Sequence, residues 1–313
     1  MMKRFFLTAL VALAFLPATA QTPSATCCFA HRDTCDLYLD VYDPAPGSET
    51  MLDSLPKPTV LFVFGGGFII GNRRESVYLP WYAKLTENGY RVVAIDYRLG
   101  LKGQRVRTDL LHLVEANDLA KKAVDMGVED LFAAVRYLFD HPELGVDPSR
   151  IVVSGCSAGA MISLSAVLET CNRTSRTAVL PPGFRFAGLM SLSGAIMTVS
   201  GPPAYRTAPC PQLLLHGTDD DTVTYSRIAI GRRGMYGSDA LAEIFSRNHY
   251  NYSIYRYVDH KHDIAIAFMT TLPEQLRFLE ENVIRGRRLV IDATVDNPAI
   301  TVYELPPMNR LYE

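Results

Sequence analysis

Alternating and continuous apolar stretches assign most of the elements of this chain. Leu37 to Tyr42 alternates and reads as a half-buried strand. The turn-forming segment Asp43 to Gly47 then breaks it. Thr59 to Phe64 is a continuous apolar run and Arg91 to Asp96 is apolar between its ends, the pattern of strands buried on both faces. Between them, Pro80 to Asn88 reads as a helix, and Gly89 suits its C-cap. Val124, Val128, Leu131, Val135 and Leu138 recur at helical spacing and predict an amphipathic helix over Val124 to Asp140, ended by His141 and Pro142. Residues 99–118 fit no simple element, and their polar portion 101–107 reads as a surface excursion. Further on, Ile151 to Ser154, Phe186 to Leu192, Gln212 to Leu215 and Tyr252 to Val258 read as strands. Ala160 to Leu168, Ala240 to Arg247 and residues 273–285 read as helices, and the tail offers 289–292 and 301–304 as edge strands. Apolar strands alternating with helices predict an α/β fold: a mostly parallel central sheet with helices on both faces. No repeat or Pro/Ser-rich linker divides the chain, so residues 21–313 read as one domain.

Composition narrows the picture. The 313 residues are 48% hydrophobic and 20% charged, ordinary for a globular chain with a sizeable core. A formal net charge of −2 provides no basic surface for nucleic acid. Residues 1–20 read as a signal peptide. Lys3 and Arg4 form a basic start, Phe5 to Leu16 a short apolar run, and Ala18-Thr19-Ala20 a cleavage site before Gln21. The apolar run is shorter than the roughly 20 residues a membrane span needs, and no other segment qualifies, so export to the periplasm or beyond is expected with no span after signal removal. Attachment through a lipid at Cys27 or Cys28, preceded by Ala25 and Thr26, is the alternative, past the better cleavage site. Export permits disulfides. A bridge from Cys35 to Cys27 or Cys28 would pin the mature N-terminus, and spacing does not choose between them. Cys156 and Cys171 read as small buried side chains. The lack of a C-x-x-C pair argues against a zinc or redox centre.

The chemistry centres on Gly155-Cys156-Ser157-Ala158-Gly159, a G-x-S-x-G sequence between an apolar strand and a helix. Strand, sharp turn and helix with serine at the turn form a nucleophile elbow. A serine nucleophile needs a general base, a carboxylate to orient it, and donors for an oxyanion. Of seven histidines, His260 and His262 lie in a loop that follows a strand and precedes a helix, where a base belongs in an open α/β sheet. Position alone leaves either as base, or both as solvated loop residues. Asp219, Asp220 and Asp221 follow the strand ending at His216, and at most one can orient the base. Gly65-Gly66-Gly67 follows another buried strand and exposes unobstructed amides. The amide of Ala158, after the serine, is the second expected donor.

Phe64-Gly-Gly-Gly-Phe68, Asp96-Tyr-Arg-Leu99, Gly155-Cys-Ser-Ala-Gly159, His216-Gly-Thr-Asp-Asp220 and His262 occur in one family's order. Over roughly residues 35–285 the chain resembles serine carboxylesterases of the α/β-hydrolase fold. The nearest resemblance is to the hormone-sensitive-lipase-like group and to exported bacterial esterases similar to feruloyl and acetylxylan esterases. That resemblance implies Ser157 as nucleophile, His262 as base, because the family's base immediately precedes the next helix, and Asp220 as acid, four residues after the histidine of its H-G-T-x-D element. It implies an oxyanion hole of Gly66, Gly67 and Ala158, and hydrolysis of small-molecule or polysaccharide-linked acyl esters without metal or cofactor. Phe64 departs from the family, which has histidine there, and the Asp96–Leu99 run lacks the Ala-Pro-Glu continuation, so it reads as a strand end packed by a tyrosine and a salt bridge. A serine peptidase of the same fold and a non-catalytic binding protein on a hydrolase scaffold are the rival readings.

Overall fold

A computed structural model describes residues 22–48, 55–106 and 112–302. Its nine-stranded sheet contains β1 (Ala25–His31), β2 (Asp36–Tyr42), β3 (Thr59–Val63), β4 (Arg91–Ile95), β5 (Ile151–Cys156), β6 (Gly188–Leu192), β8 (Gln212–Gly217), β11 (Tyr252–Tyr257) and β12 (Ile291–Val295). Their order across the sheet is β1-β2-β4-β3-β5-β6-β8-β11-β12. From β4 to β12 every pairing is parallel, whereas β1 and β2 add antiparallel at one edge. A second sheet joins β7 (Ala195–Thr198), β10 (Arg233–Gly237) and β9 (Arg227–Ile230) in that order. The helices are α1 (Leu79–Glu87), α2 (Leu113–Asp140), α3 (Ala158–Asn172), α4 (Ser238–Arg247) and α5 (Leu272–Phe278), the last continuing as a π-helical turn through Leu279–Ile284.

This is the mostly parallel α/β architecture that the apolar runs predict. Every residue of β3, β5, β6 and β8 is buried, so a layer must cover each face. On one side Phe62 of β3 meets Tyr78, Trp81, Tyr82 and Phe268 at centroid distances of 4.9–5.6 Å. The Trp81 indole N–H donates to Gln275 at 2.8 Å, which locks α1 to α5. Elsewhere α2 packs on α3, which in turn covers β3, β5 and β6.

Several elements differ from expectation. Helix α2 begins at Leu113, eleven residues before the predicted start, inside the stretch that fitted no element. Its first turns are only half-buried and carry Glu115, Asp118, Lys121 and Lys122, so no apolar stripe announces them. They are tied down by tertiary contacts, among them Arg233 of β10 on Asp118 at 2.9 Å. Strand β2 alternates only at its start. Asp40 is fully buried because Arg73 and Arg74, beyond the glycine loop, fold over it at 2.8 and 2.6 Å. Strands β1, β9 and β10 carry no strong apolar pattern, and β7 is a buried run of only four residues; none of the four is predicted, and every residue of β9 is exposed. In the tail, β12 forms the expected edge strand, whereas Thr301 and Val302 are irregular and the rest of 301–304 lies outside the described residues. Residues 1–20 also lie outside them. Among the described residues no helix is long and apolar enough to cross a membrane.

The bridge from Cys35 that export would permit is absent; all six cysteines are free thiols. Cys27 and Cys28 pair with Leu39 and Tyr38, while Cys35 accepts from the Arg32 amide near the hairpin tip. Cys28, opposite Tyr38, and Cys35 are thus about 10 Å apart along the hairpin at strand rise, beyond the roughly 7 Å Cα separation that a disulfide spans.

Asp130 of α2 is wholly buried and accepts from the Arg98 backbone and guanidinium and from Arg32, at 2.9–3.1 Å, joining β1, the end of β4 and α2. Asp130→Ala leaves two arginines without their shared anion, and urea unfolding is expected to show a loss of about 3–5 kcal/mol.

Candidate active site

Sheet topology gathers the site. Ser157 follows β5, Gly65 to Gly67 follow β3, Asp220 follows β8 and His262 follows β11, all at carboxyl ends of parallel strands. At the elbow Ser157 takes φ +50° and ψ −122°, a strained conformation for a residue with a Cβ. Its N–H donates to Leu192 O of β6 at 2.9 Å, and its carbonyl accepts from Met161 as α3 begins. The elbow closes only because Gly155 and Gly159 lack side chains. A Cβ on Gly159 would lie 2.0 Å from Val63 O, and one on Gly155 would lie 2.4 Å from Gly159 backbone.

Ser157, His262 and Asp220 are joined in a chain of hydrogen bonds. His262 Nε2 lies 2.8 Å from Ser157 Oγ, and His262 Nδ1 lies 2.8 Å from Asp220 Oδ2. A carboxylate can only accept, so Nδ1 carries the proton and Nε2 is free to accept from the serine hydroxyl. All three residues are 7–8% exposed, leaving the serine just reachable. Asp220 Oδ1 accepts from the amides of Thr222 and Val223 at 2.9 Å. Asp219 and Asp221 do not reach the imidazole; Asp219 accepts from Thr218, and its N–H donates to His260 O. His260 also points elsewhere. It is buried, with Nδ1 2.7 Å from Asp263 Oδ2, so neither histidine is a solvated loop residue.

Burial pushes the Asp220 carboxyl towards protonation, but the hydrogen bonds it accepts from His216 and His262 outweigh it, holding the group well below the ordinary carboxylate range. The Cys156 thiol beside the elbow is pushed up by burial to about 12 and stays protonated.

The glycine loop is braced without the family histidine. The Phe64 ring stacks on Tyr97 at 4.4 Å, and the Tyr97 hydroxyl donates to Phe64 O at 3.1 Å. The buried Tyr78 hydroxyl accepts from Gly65 N–H at 3.3 Å. Gly66 has φ +125°, and a Cβ there would overlap Ile70 O at 2.0 Å, so the turn requires glycine. Among the described residues, no acceptor is bound by the N–H groups of Gly66, Gly67 and Ala158, which leaves them available as donors. The Asp96–Leu99 run is structural, as read: Asp96 pairs with Arg73 at 2.5 Å, Tyr97 is buried, and Arg98 pairs with Asp130.

Sequence reasoning missed Tyr78, Ser238 and the side chain of His216. His216 reads from the sequence as a strand end and the first residue of the H-G-T-x-D element, with no role for its ring, yet that fully buried ring contacts Asp220. Tyr78 and Ser238 stand in no motif. For metals, one group among the described residues brings three donor atoms within 4.8 Å: Cys28, His31 and Asp36. A bulge in β1 between Cys28 and Ala30 turns Cys28 and His31 to one face. That hairpin lies four strands from β5, about 19 Å across the sheet, and is separate from Ser157.

A family model described as the carboxylesterase family matches residues 17–184, and one described as phospholipase/carboxylesterase matches residues 108–278. Each covers more than half of the chain. The chain belongs to the carboxylesterase family. This carboxylesterase-family chain is 30% identical over 139 residues to a probable isoprenylcysteine alpha-carbonyl methylesterase of Arabidopsis thaliana, covering 44% of this chain and 23% of that protein. It is 32% identical over 127 residues to the fumonisin B1 esterase of Sphingopyxis macrogoltabida, covering 40% of this chain and 21% of the relative. The chain thus spans less than a quarter of the length of either. Among solved structures it shares its fold with a thermophilic esterase of Thermogutta terrifontis, with a TM-score of 0.56 at 20% identity over 82% of this chain and 91% of that one.

Because the Asp220 carboxyl is depressed in the fold, it contributes stability that is complete well above the unfolded value of 3.8 and is lost as the pH falls below it. Asp220→Asn is expected to unfold about 2–3 kcal/mol more easily at neutral pH and to lose part of the acid-side slope, measured by urea titration of Trp81 fluorescence between pH 3 and 7.

Proposed function

We propose that this protein hydrolyses carboxylic esters through Ser157, His262 and Asp220. The observation that carries the reading is the unbroken chain Ser157 Oγ, His262, Asp220 at 2.8 Å per link, set on a strained elbow beside glycine amides that no acceptor among the described residues binds. Family membership and relatives named as esterases support it. Ser157 Oγ attacks the ester carbonyl carbon while His262 Nε2 takes its proton. The amides of Gly66, Gly67 and Ala158 bind the oxyanion. Collapse breaks the bond to the leaving alkoxide, which receives the proton back from His262, and an acyl-serine remains. Water, deprotonated by the same imidazole, attacks that acyl group and releases the acid and free Ser157. Asp220 keeps the imidazole in its Nδ1–H tautomer and stabilises the cation formed in each half-reaction.

The substrates we propose are short-chain or carbohydrate-linked acyl esters, in keeping with the resemblance to exported bacterial esterases. Export belongs to the same proposal and rests on the basic, apolar and Ala-x-Ala segments of residues 1–20; N-terminal sequencing of the mature protein should begin at Gln21.

Ser157→Ala is expected to lower turnover of short-chain p-nitrophenyl esters by about 10⁴-fold or more while the fold is kept. His262→Ala should lose comparable activity, whereas His260→Ala, whose partner is Asp263, should lose far less. Hydrolysis retained in the Ser157 variant would sink the assignment. Acetylated xylan, a feruloyl ester and aminoacyl-nitroanilides, run side by side, sort carbohydrate esterase from peptidase.

A further inference from the structure

Asp220 is held by two imidazoles. Its Oδ2 lies 2.8 Å from His262 Nδ1 and 3.1 Å from His216 Nε2. His216 Nε2 also lies 3.0 Å from Val223 O. Both of those neighbours are acceptors, so Nε2 must carry a proton shared between them. On the other side of the ring, Nδ1 lies 2.8 Å from the hydroxyl of Ser238, the first residue of α4, which is also fully buried. The hydroxyl can donate to Nδ1 of a neutral ring, so every polar atom of His216 is satisfied without a charge. A neutral histidine fixed in one tautomer is therefore built into the far side of the carboxylate.

We propose that His216 is a positioning residue of the ester hydrolase: its Nε2–H, fixed by Ser238, aims the Asp220 carboxylate at His262 and draws off part of its negative field. The proposal rests on the Ser157–His262–Asp220 reading. Asp220 sits in a short loop after β8, and two backbone amides hold only Oδ1. Without His216, Oδ2 would have His262 as its one hydrogen-bond partner, and rotation about the last side-chain bond would be governed by the group it is meant to orient. The His216 dipole also points its positive end at Asp220. It makes the potential at His262 less negative and stabilises the imidazolium less than an isolated carboxylate would.

Other groups face this ring. The Tyr225 ring lies 5.7 Å away, edge-on. Arg256 of β11 is directly paired with His216 across the sheet and is occupied by Asp239 and Asp292. Asp239 follows Ser238 in α4 and also accepts from the Tyr225 hydroxyl at 3.2 Å. The charges on that side are paired among themselves, which leaves Asp220 as the anion His216 addresses.

The test compares His216→Leu, which removes the donor, with His216→Gln, whose amide can place an N–H near the Nε2 position. In the Leu variant kcat is expected to fall about tenfold or more through misorientation, with KM little changed. The acid limb of kcat/KM should move up by roughly 0.5–1 pH unit as the field of Asp220 at His262 strengthens. The Gln variant should keep the wild-type limb and most of kcat. Where the Leu variant does not fold, judged by circular dichroism, Ser238→Ala takes its place, because it frees the ring to change tautomer; its acid limb should also move. An unmoved limb in a folded Leu or Ser238→Ala variant, or a Gln variant as impaired as the Leu one, overturns the proposal. Ser157→Ala and His262→Ala run in parallel keep the two readings apart: activity surviving in those variants removes the triad itself, whereas their loss with a normal His216→Leu profile removes this inference alone.

Discussion

The site depends on how closely one helix approaches one strand. At Gly155 and Gly159 the backbones of β5 and α3 meet with no room for a Cβ, and α3 rests against Val63 at the end of β3. That contact drives Ser157 into its positive-φ conformation, at a cost of about 1–3 kcal/mol. The offset comes from α3 itself, which is buried on nearly every side. Because the same contact touches β3, the serine and the glycine loop are positioned by one piece of packing. The Ser157 amide on Leu192 then ties the elbow to the neighbouring strand.

Buried carboxylates hold the surroundings in place. Asp40 and Asp130 are fully buried, and each is met by two arginines. Asp40 clasps the segment just after the glycine loop to β2, and Asp130 ties the N-terminal hairpin and the end of β4 to α2. Asp220 is satisfied differently, by two imidazoles and two amides rather than by a guanidinium. The difference matters chemically. An arginine would neutralise the carboxylate with a fixed charge, whereas imidazole N–H groups keep the anion in place and still let it respond to a cation forming on His262.

The parallel core was legible because its strands are buried on both faces and so appear as unbroken apolar runs at Thr59 to Val63, Ile151 to Ser154 and Gln212 to Leu215. The amphipathic stripe of α2 was legible from Val124 onward, where the helix meets α3, but not over Val114 to Lys122, where exposure removes the periodic signal. Strands β1, β9 and β10 escaped notice for the same reason. Their pairing energy resides in backbone hydrogen bonds, which any side chain permits; β1 and β9 have at most one buried residue, and the buried residues of β10 include two glycines, which give no apolar signal.

By itself the sequence determined the order of the parts: a glycine loop after one buried strand, a G-x-S-x-G turn after another, an aspartate cluster and a histidine pair after two more. Those features are local, set by glycine conformational freedom and apolar patterning, so they survive in one dimension. It could not say which of two histidines faces Ser157, what replaces a histidine at Phe64, or what stands behind Asp220. His260 turns to Asp263 while His262 reaches the serine, and Tyr78, Tyr97 and His216 arrive from elements far apart in the chain. Side-chain direction and long-range partners are decided only when buried polar groups must each find a hydrogen-bond partner in a close-packed interior, and that condition exists only in the folded molecule.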